Sequence, residues 1–397
     1  MDERFQALAE LAVHGANVQK GQIVGIGAIV GQEELARATA EAAYRRGALF
    51  VDVAYFDPYV KRARIEYADA ETLDFVPSWY VARLNALAER GDARISFAGV
   101  VAPAALDGLD PARIGRDQLP WLKEAAKVIS DRATNWSIVP CPHRAWAGLV
   151  FPELPQDEAY ERLWEQLWHV LRLDEPDPNA AWERRVEALS ASAAALTARN
   201  FDSLELRGPG TELTVGLFPG STWWSGDFET RTGLRHLPNL PTEEVFASPD
   251  PVRTEGHVTS TKPLVLRDGT IVRGLRVRFE AGRAVEVEAD ENGDALKAKV
   301  GLDEGAARLG EVALVDRQGR IGPLGTVFYD TLLDENAASH IALGNGFAFA
   351  VGEGDADRIN TSGIHIDFMI GSPELEVTGL TQDGNRVPVL RDGDWQI

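Results

Sequence analysis

Cysteine is nearly missing from this 397-residue chain, with Cys141 as its sole example. An intrachain disulfide and a cysteine-based zinc cluster are therefore excluded, and the chain reads as a protein of a reducing compartment. Basic residues are scarce as well: 40 Lys and Arg stand against 61 Asp and Glu, a formal net charge of -21. A surface that negative repels phosphate backbones and anionic lipid, so neither nucleic acid nor membrane is expected as a partner. It attracts cations instead, divalent metals and protonated amines among them. Long apolar runs are also lacking. No stretch reaches the ~18 residues expected of a membrane-crossing helix. The opening MDERFQALAE has neither the basic nor the apolar segment of a secretory signal. The expected location is the cytoplasm.

Several sequence motifs are missing too. Gly25-x-Gly27 has no third glycine at the right offset, so a dinucleotide fingerprint is not supported. There is no phosphate-binding P-loop, no G-x-S-x-G nucleophile elbow and no H-E-x-x-H zinc helix.

What remains is ample for a folded enzyme. Apolar residues make up 45% of the chain, and its length suggests two domains. Up to about residue 200, helix and strand patterns alternate. Phe5 to Val13 reads as helix, Ile23 to Val30 as strand, Glu33 to Arg46 as helix and Leu49 to Tyr55 as strand. That β-α-β order implies parallel strands with a helical crossover. Further helices are expected over Trp79 to Arg90, Ala159 to Leu171 and Ala180 to Thr197, with a strand over Arg94 to Val101. After Phe201 the texture changes to short β-segments between Gly, Asp and Pro turns. Hairpins are expected around Glu280-Ala281-Gly282-Arg283 and at Asp383-Gly384. The expected fold is an α/β domain with parallel strands over 1–200, then a β-rich α+β domain over 201–397 in which any metal-binding residues are to be sought.

Four segments carry candidate chemistry. In Ile364-His365-Ile366-Asp367-Phe368, strand geometry puts His365 and Asp367 on one face and the apolar residues on the other. Buried polar groups need partners. A shared metal would satisfy the pair, and so would a His–Asp hydrogen bond. Asp334 to Gly344 reads as a short Ala-rich helix with His340 in its middle, either close to a metal or on an ordinary polar face. Glu311 lies in the strand-like run Gly310 to Val315, at an edge facing water or held by a cation. Thr242-Glu243-Glu244-Val245 offers two adjacent carboxylates, of which only one would face a site. Trp223-Trp224 reads as local packing rather than a ligand platform.

Taken together, NLPTEEVF (239–246), LDEGAARLGEVALV (302–315), FYDTLLDENAASHIALG (328–344) and HIDFMIGS (365–372) resemble the aminopeptidase T / aminopeptidase S family of thermophilic-type metallopeptidases. The phrases occur in the family's order and at similar spacing. The resemblance implies metal ligands at Glu244, Glu311, His340, His365 and Asp367, with Glu244 and Glu311 also in the catalytic set. It implies two divalent ions (Zn, Co, Mn or Mg), bridged by at least one carboxylate. It further implies short peptides with a free N-terminus as substrates, and a homodimer that encloses its sites. One position departs from the family. Phe347 stands where the family has a catalytic Tyr, and Tyr329 is the candidate to replace the lost hydroxyl. Two other activities fit the same residues. The family's fold is similar to that of iron-dependent ring-cleaving dioxygenases, and the loss of the Tyr would also suit a peptide-binding or metal-binding homologue with impaired catalysis.

Overall fold

A computed structural model describes residues 2–117, 119, 120, 122, 124–266 and 269–397. They form two compact units. One comprises Met1–Trp182 with Asp227–Pro241, the other Glu183–Gly226 with Thr242–Ile397.

The first unit is α/β. Strands β1 (Ile23–Ile29), β2 (Phe50–Phe56), β3 (Ala93–Ala98) and β4 (Asn135–Pro140) pair in parallel, in the order β2-β1-β3-β4. The crossover from β1 to β2 is the helix Glu33–Arg45, which buries Leu35, Ala36, Ala38, Thr39, Ala42 and Ala43. That spacing gives one inward stripe. Glu33 and Glu34 open the helix and Arg45 closes it, the order of charge that its dipole favours. Strand β4 has no counterpart in the sequence reading. Its buried residues include Asn135 and Ser137, so its alternation is not hydrophobic. Asn135 is tolerated there because its Nδ2 donates to the Ala16 carbonyl at 2.5 Å.

His236, also in this unit, is 2% exposed and packs edge-on against Trp136, with ring centroids 4.5 Å apart. Its Nε2 has no hydrogen-bond partner. Burial pushes its ionisation down from 6.5 to about 4, against the opposing pull of the Leu234 carbonyl and Asp227.

The second unit is mainly antiparallel. Its eight-stranded sheet runs Arg283–Glu288, Arg276–Glu280, Pro249–Thr259, Thr211–Leu217, Ser203–Gly208, Glu376–Leu380, Arg386–Arg391, Asp394–Trp395. Both expected hairpins are present. At the tip of the second, Gly384 has a φ of 82°, which glycine adopts without strain. A separate four-stranded sheet runs His365–Met369, His340–Gly344, Leu309–Val315, Glu244–Ala247. From it, Val245, Val312, Leu314, Ile341, Leu343 and Phe368 join the same core as Leu206, Leu213, Val215 and Val277 of the larger sheet.

The single helix suggested by the sequence for 334–344 does not form. Helix covers only Thr331–Glu335, and His340 begins a strand. A short apolar run such as Ile341-Ala342-Leu343 is ambiguous by pattern alone. Here it pairs with a neighbour on each side, which settles the conformation as β. Glu311 likewise lies on an interior strand that is buried along its whole length, not at an exposed edge.

The start of the Glu244–Ala247 strand is fixed by a buried ionic cluster. Arg185 Nε donates to Glu243 Oε2 at 2.5 Å, and its Nη2 and Nη1 donate to the two oxygens of Asp316 at 2.8 and 3.1 Å. All three side chains are at most 5% exposed. Trp395 Nε1 also donates to Asp316, at 2.7 Å, and the Glu243 amide donates to Asn336 Oδ1 at 2.7 Å. No helix among the described residues is long and apolar enough to cross a membrane.

Two predictions test these features. Replacing Arg185 with Ala strands two buried carboxylates and should cost roughly 3–5 kcal/mol of stability, read by urea unfolding; a loss below about 1 kcal/mol would contradict the cluster's role. For His236, the unfolded chain takes up the proton before the folded one does. Its contribution is therefore intact above pH 6.5 and is lost as pH falls through about 4. Relative to His236→Phe, the wild type should lose up to roughly 3 kcal/mol over that window; parallel pH profiles for the two proteins would refute this.

Candidate metal centre

The register of the four-stranded sheet decides which side chains meet. Glu311 lies opposite Ala342, and Ala342 lies opposite Asp367. Ala313 lies opposite His340, Gly344 opposite His365, and Val315 opposite Glu244. Side chains alternate faces along a strand, so Glu244, Glu311, His340, His365 and Asp367 all project from the same face. The intervening residues Val245, Val312, Ile341 and Phe368 project from the other, into the core. Beside the polar groups the two central strands put the small residues Ala313 and Ala342 on the shared face, which leaves room above the sheet there.

The polar atoms converge into two groups of three. Glu244, Glu311 and His340 bring one ligand atom each within 4.8 Å of one another, and so do Glu311, His365 and Asp367. Glu311 belongs to both. His340 Nε2 is 3.0 Å from Glu244 Oε2, while His365 Nε2 is 3.1 Å from Glu311 Oε2 and 3.2 Å from Asp367 Oδ1.

The protons on the two imidazoles show what the cluster requires. His340 Nδ1 is 3.1 Å from the Ala338 carbonyl, and His365 Nδ1 is 2.8 Å from the Asn345 carbonyl. A carbonyl only accepts, so each Nδ1 carries its hydrogen. In a neutral ring, Nε2 then presents a lone pair to the carboxylates, an arrangement that needs either a second proton or a cation between them. Without a metal, protons fill the role. Burial alone would push His340 down, but Glu244, then Glu311 and Asp367, raise it to about 10. His365 is also driven up, by Asp367 and Glu311 against burial. Burial raises Glu311, while Asp367 is held low by His365 and His340 despite its burial. Glu244 Oε2 is buried and makes no aligned hydrogen bond despite its nearness to His340. Three carboxylates, one of them with an orphaned oxygen, and two Nε2 lone pairs suit divalent cations, and Nδ1 anchoring by a carbonyl is the usual support of a metal-binding histidine.

One residue of this environment was missed in the sequence. Burial raises Glu335 well above the usual carboxylate range, and Asp367, Glu244 and Glu311 add to the effect against His340. It is the Glu of the phrase Glu335-Asn336-x-x-x-His340, whose spacing was the available signal. Glu243, the other half of the Glu pair, is bound to Arg185 and does not join the cluster. Tyr329, the candidate to replace the missing hydroxyl, is paired with an arginine. Its hydroxyl accepts from Arg273 Nη2 at 3.4 Å, and the guanidinium lies over its ring. Phe347 does sit at the site's margin, with its ring centroid 5.3 Å from that of His365.

The sequence pattern of the thermophilic metalloprotease family M29 matches residues 1–395. Aminopeptidase T of Thermus thermophilus is 44% identical over 99% of this chain and 98% of its own. Aminopeptidase PepS of Streptococcus thermophilus is 36% identical over 100% and 98%. The solved structure of wild-type AmpT from Thermus thermophilus superposes with a TM-score of 0.92, covering 100% of this chain and 99% of that one. With the same mixed α/β architecture and a whole-length match, this chain belongs to the thermophilic metalloprotease family M29 and is by that membership a metallo-aminopeptidase.

Proposed function

We propose that the protein removes the N-terminal residue from short peptides with a free N-terminus, and that two divalent cations (Zn, Co, Mn or Mg) serve it. Glu244, Glu311 and His340 would hold one, and Glu311, His365 and Asp367 the other. The observation that carries this reading is the membership of Glu311 in both ligand groups, which suits a bridging carboxylate. When bound, such a pair supplies Lewis-acid polarisation of the scissile carbonyl and a more acidic water.

The chain's own groups do the remaining work. The carboxylate-rich face attracts the protonated α-amine of a substrate. Glu335, half-buried and within the field of the cluster, accepts the proton of the attacking water and returns it to the leaving amine. Phe347 has no hydroxyl to offer a developing oxyanion, so that stabilisation falls to other parts of the site. All these residues lie in the half of the chain assigned to catalysis, 201–397, and the reaction takes place in the cytoplasm.

The test is release of the N-terminal residue from short peptides by chelated protein, reloaded in turn with Zn, Co, Mn and Mg. Cleavage should return with metal and vanish when the peptide's amine is blocked. His340→Ala and Asp367→Ala should lose both metal and activity. Glu335→Gln should keep its metal and lose roughly 10²–10⁴ in kcat. Unchanged metal stoichiometry in the first two variants would sink the ligand assignment.

Self-association forms part of the proposal. In the first unit Tyr59, Val60, Tyr67, Phe75 and Trp79 are 64–78% exposed, and large apolar side chains left open this close together in sequence suit an interaction surface. Light scattering should give twice the 43.3 kDa chain mass; a monomer at micromolar concentration would rule the homodimer out.

A further inference from the structure

Beside the ligand face, the second unit carries a continuous band of aromatic rings. Phe246 lies two residues beyond Glu244 and so projects from the same face of the strand. It meets Phe347 edge-on at 5.6 Å, and Phe347 stacks on Phe349 at 5.3 Å with 26° between the planes. Phe349 in turn meets Trp224 edge-on at 4.9 Å. Phe246 is buried beneath, whereas Phe347, Phe349 and Trp224 each keep part of their surface open. Trp224 thus packs locally, as expected, with part of its surface left open.

The band is held rigidly. Trp224 Nε1 donates to the Phe349 carbonyl at 3.1 Å, and the Phe347 amide donates to Ser248 Oγ at 2.8 Å. Trp224 and Phe246 also exchange backbone hydrogen bonds, both 2.9 Å. Half-open aromatic surface carries a hydration cost that an apolar ligand removes. Its position identifies the ligand. In the reading proposed above, the substrate's amine and scissile carbonyl lie at the carboxylate–imidazole cluster, so the side chain on the α-carbon between them reaches only a few ångströms away. Phe347 is at that distance, in ring contact with His365.

We infer that Phe347, Phe349 and Trp224 form the subsite for the side chain of the substrate's N-terminal residue, and that it selects large apolar and aromatic residues there. Phe at position 347 suits this role, because a ring without a hydroxyl adds no polar group that an apolar side chain would leave unsolvated. The inference rests on the aminopeptidase reading.

The test uses full-length, metal-loaded protein and dipeptides that differ only in having Phe or Ala at the N-terminus. The ratio of kcat/KM for Phe over Ala should favour Phe in the wild type and fall at least tenfold in Phe349→Ala. Phe349→Leu, which keeps apolar bulk and guards against misfolding, should lose less. A binding readout that needs no turnover is calorimetry with the amino alcohols phenylalaninol and alaninol, whose affinity ratio should fall in parallel. Equal losses on Phe and Ala in both variants would overturn the subsite while leaving the aminopeptidase reading intact. A wild type that cleaves neither dipeptide with any metal would overturn both.

Discussion

Like charges set a few ångströms apart on a nearly dry sheet face repel strongly, and the second unit is arranged around that repulsion. Three carboxylates rise from neighbouring strands, with a fourth, Glu335, close enough to feel them. Water screens them poorly, because the strands that carry Glu244, Glu311 and His340 are buried. Positive charge screens them better, and the imidazoles supply it when they hold extra protons. A divalent cation is the better answer, because it satisfies several oxygens at once and leaves each histidine in its neutral, coordinating form.

The supporting layer can be understood in the same terms. Asn345 and Ala338 carbonyls fix the histidine rings from behind, so the rings have no freedom to turn away from the carboxylates. Arg185 does something different. By engaging Glu243 and Asp316, it removes one of two adjacent glutamates from the polar face and pins the strand at the residue before Glu244. Two neighbouring carboxylates thus take opposite roles, one toward the cluster and one toward an arginine, as the alternation of a strand requires.

Much of the first unit was legible in the sequence, because its helices carry 3.6-residue apolar stripes and β1 to β3 are apolar runs of strand length. β4 was hidden by its buried Asn and Ser. At the site, legibility depended on whether residues share a strand. His365 and Asp367 stand two apart on one strand, so local spacing alone put them on one face. Glu244, Glu311 and His340 lie on three other strands, and no local pattern encodes the register that aligns them. Their grouping came only through resemblance to a family. Glu335 escaped because Asp334-Glu335 at a helix end looks like ordinary solvated charge, and His340 was drawn into that helix by the alanines around it.

The cluster draws its members from four strands spread between Glu244 and Asp367, and the strand bearing His365 and Asp367 is the last of them to be synthesised. Until it emerges and pairs, the ribosome-bound chain holds all of one group, Glu244, Glu311 and His340, but only Glu311 of the other. The second group therefore cannot assemble before that strand has joined the sheet. On the two-cation proposal, hydrolytic capacity would appear only when the last strand has closed the sheet that restrains it.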